Sequence, residues 1–291
     1  MKPSSYFRIA LQQAMLDPLA LPSLVNRGKM LRRIVKAGET RREAALASCT
    51  HPIPRTCIFS ITWKCNLSCK GCYAKNYQQV EGLDQETITR VIREATGLGT
   101  YLWIIAGGEP LMVEKIIPEL ASIENAFFFL FTNGTLLNTS HLALLADTPT
   151  ILPVISLEGD EEQTDQRRGN TVGRQIRQAM ARLKKARIPF GFSVMVTHAN
   201  VKSVTSRAWF DTMWHAGARF GFCIDYIPFA HDLNPEYVLT DADRAYKNRA
   251  LAERKREARP LIFNLPPDEY AQGGCASAGK GFMHINADGY V

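Results

Sequence analysis

The sequence has no hydrophobic run of the length that crosses a bilayer, and its N-terminus lacks the pattern of a secretory signal. Even the apolar stretch at residues 126–131 has only the length of a buried strand. The seven cysteines are odd in number and partly clustered, which argues against a framework of disulfides. Because free cysteines are typical of a reducing compartment, we expect a cytoplasmic protein.

Acidic residues are scarce in the first 57 positions, which hold three of them against ten lysines and arginines. Since the whole chain carries a formal net charge of +7, the rest of it balances to zero. A basic extension on a neutral body is typical of a segment that contacts an anionic partner, and a solvated basic helix that caps the fold is the alternative. The basic residues are Lys2, Arg8, Arg27, Lys29, Arg32, Arg33, Lys36, Arg41, Arg42 and Arg55, and the acidic ones are Asp17, Glu39 and Glu43.

The chain divides into three predicted parts. Apolar residues recur at helical spacing among the cations of residues 24–42, and prolines at positions 52 and 54 end that pattern. We therefore predict a helical basic extension and linker over residues 1–54. With 46% hydrophobic residues the chain can bury a large core, and we predict a barrel over residues 55–264 and the start of another extension over residues 265–291.

The body alternates strands with helices. Strands are predicted at Cys57–Trp63, Tyr101–Ala106, Ala126–Thr132, Thr150–Leu157, Phe190–Thr197 and Arg219–Ile227, and helices at Asp84–Ala95, Val113–Ile123, Ser140–Ala146, Val172–Ala186 and Ser203–Ala216. Such an order needs right-handed parallel crossovers, and six units favour a partial (β/α)6 TIM-like barrel over a flat sheet. We predict this α/β fold, with its chemistry at the C-terminal ends of the strands.

Three cysteines follow the first predicted strand within one short run, at Cys65, Cys69 and Cys72. Three thiolates on a cubane of four irons leave one iron without a protein ligand, and an exogenous molecule can coordinate there. A structural zinc site needs a fourth ligand, and no further Cys or His lies nearby. A bacterial ferredoxin has two-residue gaps and a Pro-linked fourth cysteine, whereas here the first gap is three residues and Tyr73 follows the last cysteine. Inert core cysteines are the remaining alternative.

The C-x3-C-x2-C run resembles the signature of the radical S-adenosylmethionine (SAM) enzymes, and Gly107-Gly108-Glu109-Pro110 resembles their second motif. The resemblance covers residues 57–291 and implies a partial (β/α)6 barrel with a 4Fe-4S cluster and SAM as cofactors. It implies that SAM chelates the fourth iron and is cleaved to methionine and a 5′-deoxyadenosyl radical, which abstracts hydrogen from a substrate. An electron donor such as a ferredoxin or flavodoxin is implied as a partner, and nucleic acid is not expected.

The Gly-Gly-Glu-Pro turn directly follows the second predicted strand. Gly107 and Gly108 permit close backbone approach to a ligand, Pro110 fixes the turn, and Glu109 offers an acceptor for an ammonium group. The resemblance implies that this turn binds the amino group of SAM. A Thr-Asn-Gly turn at residues 132–134 ends the third strand, and we expect it to mark the fold and to contact SAM.

Further candidates for SAM binding lie at the end of the fourth predicted strand. Ser156 and Glu158 point to one face by strand alternation, so they offer a hydroxyl and a carboxylate to the ribose or methionine of SAM. Residues 164–168 resemble the family's His-Asp-x-x-Arg segment, which implies that Arg168, and not Arg167, pairs with the SAM carboxylate. Thr164 stands where the family has His.

Other positions depart from the family pattern or have no assigned chemistry. Gly71 stands where many members have an aromatic residue on the adenine, and Tyr73 follows the last cysteine without an assigned role. His198, Asp225 and Tyr226 lie at strand ends and are candidates for shaping the substrate site. We assign none of them as catalytic, because such groups are more often structural hydrogen-bond partners.

The C-terminal residues resemble the opening of a SPASM or Twitch extension, in which further cysteines bind one or two auxiliary 4Fe-4S clusters. Cys275 is the one cysteine of that set. We predict a strand at Phe282–Ile285, a hairpin turn at residues 286–289 and the start of a return strand at residues 290–291. Since a two-residue return strand is marginal, we expect this chain to stop short of the natural protein's end.

The sequence thus predicts a radical SAM enzyme of the SPASM/Twitch type. A peptide or protein substrate is favoured, with the basic extension gripping an acidic leader. A lipid substrate is the alternative, because a basic amphipathic helix also lies on anionic membrane surfaces. A non-catalytic iron-sulfur scaffold or electron carrier is a further alternative, although such a protein has no need of the Gly-Gly-Glu-Pro turn.

Overall fold

A computed structural model describes residues 21–77, 80–228, 234–257, 260–270 and 281–291. Its strands are β1 Thr56–Ser60, β2 Leu102–Ala106, β3 Phe127–Thr132, β4 Ile151–Leu157, β5 Phe190–Val196, β6 Ala218–Asp225, β7 Leu261–Leu265 and β8 Phe282–Ile285. All eight pair in parallel, in the order β7-β6-β5-β4-β3-β2-β1-β8, and form a curled half-barrel. The predicted α/β class and partial TIM-like barrel are confirmed.

Helices follow most of the strands. They are α1 Leu21–Leu46, α2 Gln85–Leu98, α3 Ile116–Ala121, α4 Thr139–Asp147, α5 Glu161–Arg168, α6 Val172–Lys185, α7 Val201–Val204, α8 Arg207–Ala216, α9 Asp241–Glu257 and α10 Pro267–Tyr270. In the part of the chain that the structure describes, none of them combines the length and apolar character that a bilayer crossing requires. Residues 1–20 and Cys275, for which predictions were made, lie outside the described residues.

Local sequence signals explain where the helices begin and end. Asp84 precedes α2 and its carboxylate accepts a hydrogen bond from the Thr87 amide at 2.7 Å, while Gly99 ends the helix in a left-handed conformation with φ 113°. Helix α5 was not predicted, although Asp160 and Gln163 form a capping box at its start. The predicted helix Ser203–Ala216 is instead two helices, because Ser206 interrupts it and caps α8.

Two predicted elements are shorter than expected. The helix predicted at Val113–Ile123 is confined to α3, because residues 110–112 form a 3-10 turn and Lys115 has a left-handed φ of 56°. The first strand ends at Ser60 and not at Trp63, because the chain leaves the sheet there for the cysteine run. These differences leave the order of strands unchanged.

The sheet has two strands beyond the six predicted barrel strands. Strand β7 was missed, and β8 was predicted as the first strand of a hairpin but pairs in parallel with β1, with Phe282 opposite Thr56 and Ile285 opposite Phe59. The edge of β1 provides unpaired amides and carbonyls that β8 satisfies. A turn does follow β8, where the Asn286 amide donates to the Tyr290 carbonyl at 2.9 Å, but residues 290–291 form no strand.

The core lies between the convex face of the sheet and its helices. Cys57, Phe59, Trp103, Phe128 and Phe192 are fully buried there, at alternate positions of their strands. Opposite-facing strand residues form a separate cluster with no helix residue in it. The half-barrel therefore has one face packed on helices and one concave face.

Helix α1 packs across the N-terminal ends of the strands. The Arg27 guanidinium donates to the Pro149 carbonyl at 2.6 Å, just before β4, and Glu39 pairs with Arg55, just before β1, at 2.6 Å. A Cβ at Gly38 would overlap the ring of Tyr101, which precedes β2. Because the strands are parallel, these contacts put α1 at the opposite end of the half-barrel from the cysteine run.

Candidate functional site

The three cysteines lie in the loop that leaves the C-terminal end of β1. Cys69 is buried, Cys65 and Cys72 are partly exposed, and the Leu67 amide donates to the Cys65 sulfur at 3.4 Å. Burial raises the pKa of Cys65 to about 11 and also raises the pKa of Cys69, where the charges of Arg168 and Arg167 oppose the effect. A bound positive charge would therefore be needed to hold Cys65 and Cys69 as thiolates.

The spacing of these thiols distinguishes two kinds of metal site. Among the described residues, no three His, Cys, Asp or Glu side chains lie close enough together to hold a single metal ion. A zinc site requires such convergence, whereas each thiolate on a 4Fe-4S cluster binds a different iron and the sulfurs stay apart. A set of three thiols is compatible with a 4Fe-4S cluster that has one open iron, whereas a structural zinc site would need a fourth ligand.

The Gly-Gly-Glu-Pro turn is attached to the cysteine loop by its backbone. The Gly108 amide donates to the Thr62 carbonyl at 2.6 Å, and the Glu109 amide donates to the Lys64 carbonyl at 2.9 Å. A Cβ on Gly107 or Gly108 would overlap the backbone of residues 62–64, and Gly107 has a left-handed φ of 122°. The two glycines therefore allow the turn to pack on the loop, a function that the sequence motif alone did not reveal.

Glu109 connects this turn to the one that ends β3. Its carboxylate is 1% exposed and accepts hydrogen bonds from the Thr132 hydroxyl at 2.6 Å, the Asn133 amide at 2.7 Å and the Leu111 amide at 3.1 Å. Burial raises the pKa of Glu109, and these bonds oppose that effect. Since a carboxylate has about four acceptor positions, one is left for a further donor such as an ammonium group.

The Thr-Asn-Gly turn also contacts the cysteine loop. The Asn133 side chain donates to the Asn66 side-chain oxygen at 2.9 Å, and the Asn66 amide group donates to the Thr135 hydroxyl at 2.8 Å. Asn66 lies directly after Cys65 in the chain. The ends of β1, β2 and β3 thus form one hydrogen-bonded unit around the three cysteines.

Glu158, after β4, pairs with two arginines from the end of α5. One carboxylate oxygen, Oε1, accepts from Arg167 at 2.5 Å and from Arg168 Nε at 2.9 Å, while the other oxygen, Oε2, is buried without a partner in the described chain. The Lys70 amide in the cysteine loop donates to the Arg167 carbonyl at 2.9 Å. The structure brings the two predicted residues together, and it adds Arg167, which the family motif had passed over.

Ser156 lies on the concave face of β4, where it is half-buried and faces away from the helices. Its register partner on β5 is Ser193, which the sequence analysis did not identify. The two hydroxyls extend the polar end of the half-barrel inward from Glu158. Strand pairing, which no local pattern shows, brings them side by side.

Tyr226, at the end of β6, packs against the cysteine loop, and its role in shaping a substrate site stays a prediction. A Cβ on Gly71, whose φ is 65°, would lie 2.9 Å from the Tyr226 hydroxyl and 3.2 Å from the Asn234 side-chain amide. The Tyr226 side chain is 2% exposed, and its hydroxyl has no hydrogen-bond partner among the described residues. Glycine is therefore favoured at position 71, because any side chain there would overlap Tyr226.

The other two substrate-shaping candidates also have structural partners. Asp225 faces the helices because it alternates with Phe222 and Ile224, and it forms an ion pair with Lys247 of α9, which is fully buried. His198 is exposed and its Nδ1 lies 2.7 Å from an Asp243 carboxylate oxygen. Asp225 therefore faces the helices, and a substrate-shaping role for His198 stays a prediction.

The sequence model of the Radical SAM superfamily matches residues 59–206, just over half of the chain. The chain belongs to the Radical SAM superfamily. Its members are enzymes that use a 4Fe-4S cluster and SAM, so the predicted enzyme class and cofactors are confirmed at the level of the family.

Relatives of this radical SAM chain include the sporulation killing factor maturation protein SkfB of Bacillus subtilis, 27% identical over 158 residues that cover 53% of this chain and 38% of SkfB. The Fe-coproporphyrin III synthase of Methanosarcina barkeri is 31% identical over 38% of this chain and 29% of its own length. The chain thus spans well under half the length of these relatives. They and the structure described next confirm the predicted resemblance to SPASM/Twitch-type radical SAM proteins.

The fold of Streptococcus suis SuiB bound to S-adenosylmethionine is similar to that of this radical SAM chain. The TM-score is 0.69 at 16% identity, covering 98% of this chain and 70% of that chain. Another structure of SuiB holds its precursor peptide SuiA, with a TM-score of 0.67 at 15% identity over 92% of this chain and 62% of that one. At this identity the likeness is one of fold.

Proposed function

We propose that this chain binds a 4Fe-4S cluster through Cys65, Cys69 and Cys72 and uses SAM to start a radical reaction on a peptide or protein. The observation that carries the proposal is the attachment of the three-cysteine loop to the ends of β2 and β3 through Glu109. This arrangement offers three thiols and leaves the fourth iron of a cubane without a protein ligand. When bound, the reduced cluster and SAM supply a 5′-deoxyadenosyl radical that abstracts hydrogen.

The chain's own residues would orient SAM around that iron. Glu109 has one acceptor position left for the amino group, and the turn of Gly107, Gly108 and Pro110 forms the adjacent backbone. Arg168 remains our candidate for the carboxylate, and Ser156 and Glu158 remain those for the ribose or methionine. The buried Oε2 of Glu158 and Nε of Arg167 lack protein partners in the described chain, which supports a ligand at this end of the half-barrel.

A peptide or protein substrate has the most support. SkfB is named as a maturation protein for the sporulation killing factor, and SuiB was crystallised with a precursor peptide. The electron that the reaction requires would come from a donor such as a ferredoxin or flavodoxin. We propose Cys275 as a ligand of an auxiliary 4Fe-4S cluster, as the resemblance implies.

Anaerobic reconstitution with iron and sulfide, followed by dithionite and SAM, tests the proposal. We expect the protein to bind a cluster and to form 5′-deoxyadenosine. Cys69→Ser should lose both the cluster and the product, because two thiolates and a hydroxyl do not replace three thiolates. Cys49→Ser is the matched control, since Cys49 is exposed and lies outside the loop, and it should keep both.

Cluster content and product distinguish the enzyme from the alternative of a non-catalytic iron-sulfur protein. A wild-type protein that holds the cluster but forms no 5′-deoxyadenosine would contradict the enzyme proposal. Cluster content unchanged in Cys69→Ser would contradict the ligand assignment. Iron and sulfide analysis and chromatography of the nucleoside product give the two readouts independently.

A further inference from the structure

The concave face of the half-barrel has no charged strand residue. Among the described residues of β1 to β8 that face away from the helices, there is no Asp, Glu, Lys or Arg, and the one ionisable side chain is His284. Apolar, aromatic and hydroxyl side chains make up the wall, among them Ile58, Ser60, Phe129, Val154, Ser193 and Phe222. A charge brought onto this wall would lose water without gaining a partner.

Aromatic rings form much of this wall. Phe222 and Phe263 stack with ring centroids 4.8 Å apart, and Phe129 meets Phe222 edge-on at 5.7 Å. Phe129, Phe131 and Phe263 remain partly exposed on the concave side. Such rings favour contact with an apolar or aromatic side chain.

His284 is the polar exception, and its position is set by Ser60. Its Nε2 lies 2.9 Å from the Ser60 hydroxyl, which in turn lies 3.3 Å from the hydroxyl of Tyr73, the residue after Cys72. The Nδ1 atom has no partner among the described residues, and the side chain is exposed on the edge strand β8. The imidazole is therefore oriented at one nitrogen and available at the other, beside the cysteine loop.

Its protonation state matches the uncharged wall. Partial desolvation beside the sheet lowers the pKa of His284, which favours the neutral imidazole. A neutral imidazole both donates and accepts a hydrogen bond, which matches an amide group, whereas a carboxylate needs a donor at each contact.

We propose that His284 is a substrate-positioning residue that holds an uncharged hydrogen-bonding group, such as a peptide amide, next to an apolar side chain lodged on the aromatic wall. The inference rests on the proposed function insofar as the substrate enters the half-barrel. It identifies the reacting part of the substrate as an uncharged apolar residue, and excludes a phosphate or carboxylate at this position. Ser60 acts through His284 by fixing its ring.

Binding of two small probes to the cluster-loaded protein with SAM tests this assignment. The probes are N-acetylphenylalanine amide, which is uncharged, and N-acetylphenylalanine, which has the same aromatic side chain but a carboxylate in place of the terminal amide. We expect the uncharged probe to shift the NMR signals of the His284 imidazole, identified by their loss in His284→Gln. We also expect it to bind at least tenfold more tightly than the charged probe.

Variants separate positioning from mere structural support. His284→Leu should weaken binding of the uncharged probe about five- to tenfold, since one hydrogen bond is lost. His284→Gln keeps a donor and an acceptor, so it should bind within about threefold of the wild type. His215→Leu, a histidine on the exposed surface of α8, is the control and should leave binding unchanged.

Three outcomes would overturn the inference: no shift of the wild-type His284 signals, equal binding of both probes, or wild-type affinity in His284→Leu. The first needs the glutamine variant only to assign the signals and the second needs only the wild-type protein, so both decide the matter even where the leucine variant does not fold. Formation of 5′-deoxyadenosine without a probe is measured in parallel. Product without probe binding refutes this inference alone, while a cluster without product refutes the proposed function.

Discussion

At the scale of a single residue, Gly71 allows the cysteine loop to pack closely against Tyr226 at the end of β6. Its φ of 65° is a left-handed conformation, and a Cβ there would lie 2.9 Å from the Tyr226 hydroxyl. The family's aromatic residue at this position therefore has no room in this chain, since a ring from a different strand lies in that space. Adenine contacts of SAM must then come from other residues than the one before the third cysteine.

Gly71→Ala should lower the free energy of unfolding of the metal-free protein by about 1–2 kcal/mol, the cost of a left-handed residue with a Cβ. Tyr226→Phe removes the nearest contact atom, so the double variant should lose less than the sum of the two single changes. Denaturant unfolding measures all four proteins. Gly97→Ala, where a Cβ would meet nothing within 4 Å, should instead be neutral or stabilising, and an equal loss there would contradict this explanation.

At the scale of elements, the strands were predictable where their pattern was local. The residues of β1 to β6 are rich in apolar and β-branched types between turn signals, so their existence follows from the sequence. Strand β7 lies between Pro260 and Pro266 and follows a highly charged helix, so its apolar residues are surrounded by turn signals. The pairing of β8 with β1 depends on which sheet edge is free, and no property of residues 282–285 specifies it.

In the site too, the residues of contiguous motifs could be predicted from the sequence, while contacts between residues far apart in the chain could not. The cysteine spacing and the Gly-Gly-Glu-Pro turn are contiguous motifs, so they could be read directly. Arg167 was missed because its role depends on its contact with Glu158 in the folded chain. The family motif specifies only one arginine, which corresponds to Arg168. The contact between Ser60 and His284 joins residues 224 positions apart, which only the folded sheet brings together.

Helix α9 begins with a cluster of hydrogen bonds around Asp243. The Asp243 carboxylate accepts from the Thr240 amide at 2.9 Å, the Thr240 hydroxyl at 2.7 Å and His198 at 2.7 Å. These bonds lower the pKa of Asp243 from the ordinary 3.8 to about 2. Since the folded state holds the ionised form, its stabilising contribution is complete above pH 3.8 and is lost as the pH falls toward 2.

Asp243→Asn should therefore destabilise the protein by about 1 kcal/mol at pH 6, as for the loss of a helix cap. The difference from the wild type should shrink between pH 3.8 and about 2, because the wild-type carboxylate is then protonated too. Thermal unfolding across this range measures it. Asp241→Asn, whose side chain is exposed, is the control, and a difference that grows toward low pH would contradict the assignment.

On the scale of the whole molecule, the basic surface of α1 and the cysteine loop lie at opposite ends of the half-barrel. Lys29, Arg32, Arg33 and Lys36 are exposed at helical spacing, while Ile34 and Arg27 face the sheet. An anionic surface bound by α1 would leave the C-terminal ends of the strands open. Membrane contact by this helix remains a prediction. Because α1 and the cysteine loop lie at opposite ends, changes to the surface of α1 can be tested without altering the residues around the cysteines.

We expect the triple change of Lys29, Arg33 and Lys36 to Glu to weaken co-sedimentation with phosphatidylserine vesicles at least tenfold, since each cation near such a surface contributes about 1 kcal/mol. Formation of 5′-deoxyadenosine should stay within twofold of the wild type. Changing the exposed Arg174, Arg182 and Lys185 of α6 to Glu is the matched control. Vesicle binding that survives the α1 changes, or that is absent in the wild type, would contradict membrane contact.

The parallel pairing of β8 with β1 has a consequence for biogenesis. Strands β1 to β6 join their neighbours soon after synthesis, but β1 gains its second neighbour only when residues 282–285 leave the ribosome. Until then the edge of β1 stays open beside its thiols, and Ser60 lacks the imidazole that completes its contacts. A chain that is cut before residue 282 therefore leaves one edge of β1 unpaired, with its backbone amides and carbonyls exposed next to the cysteine loop.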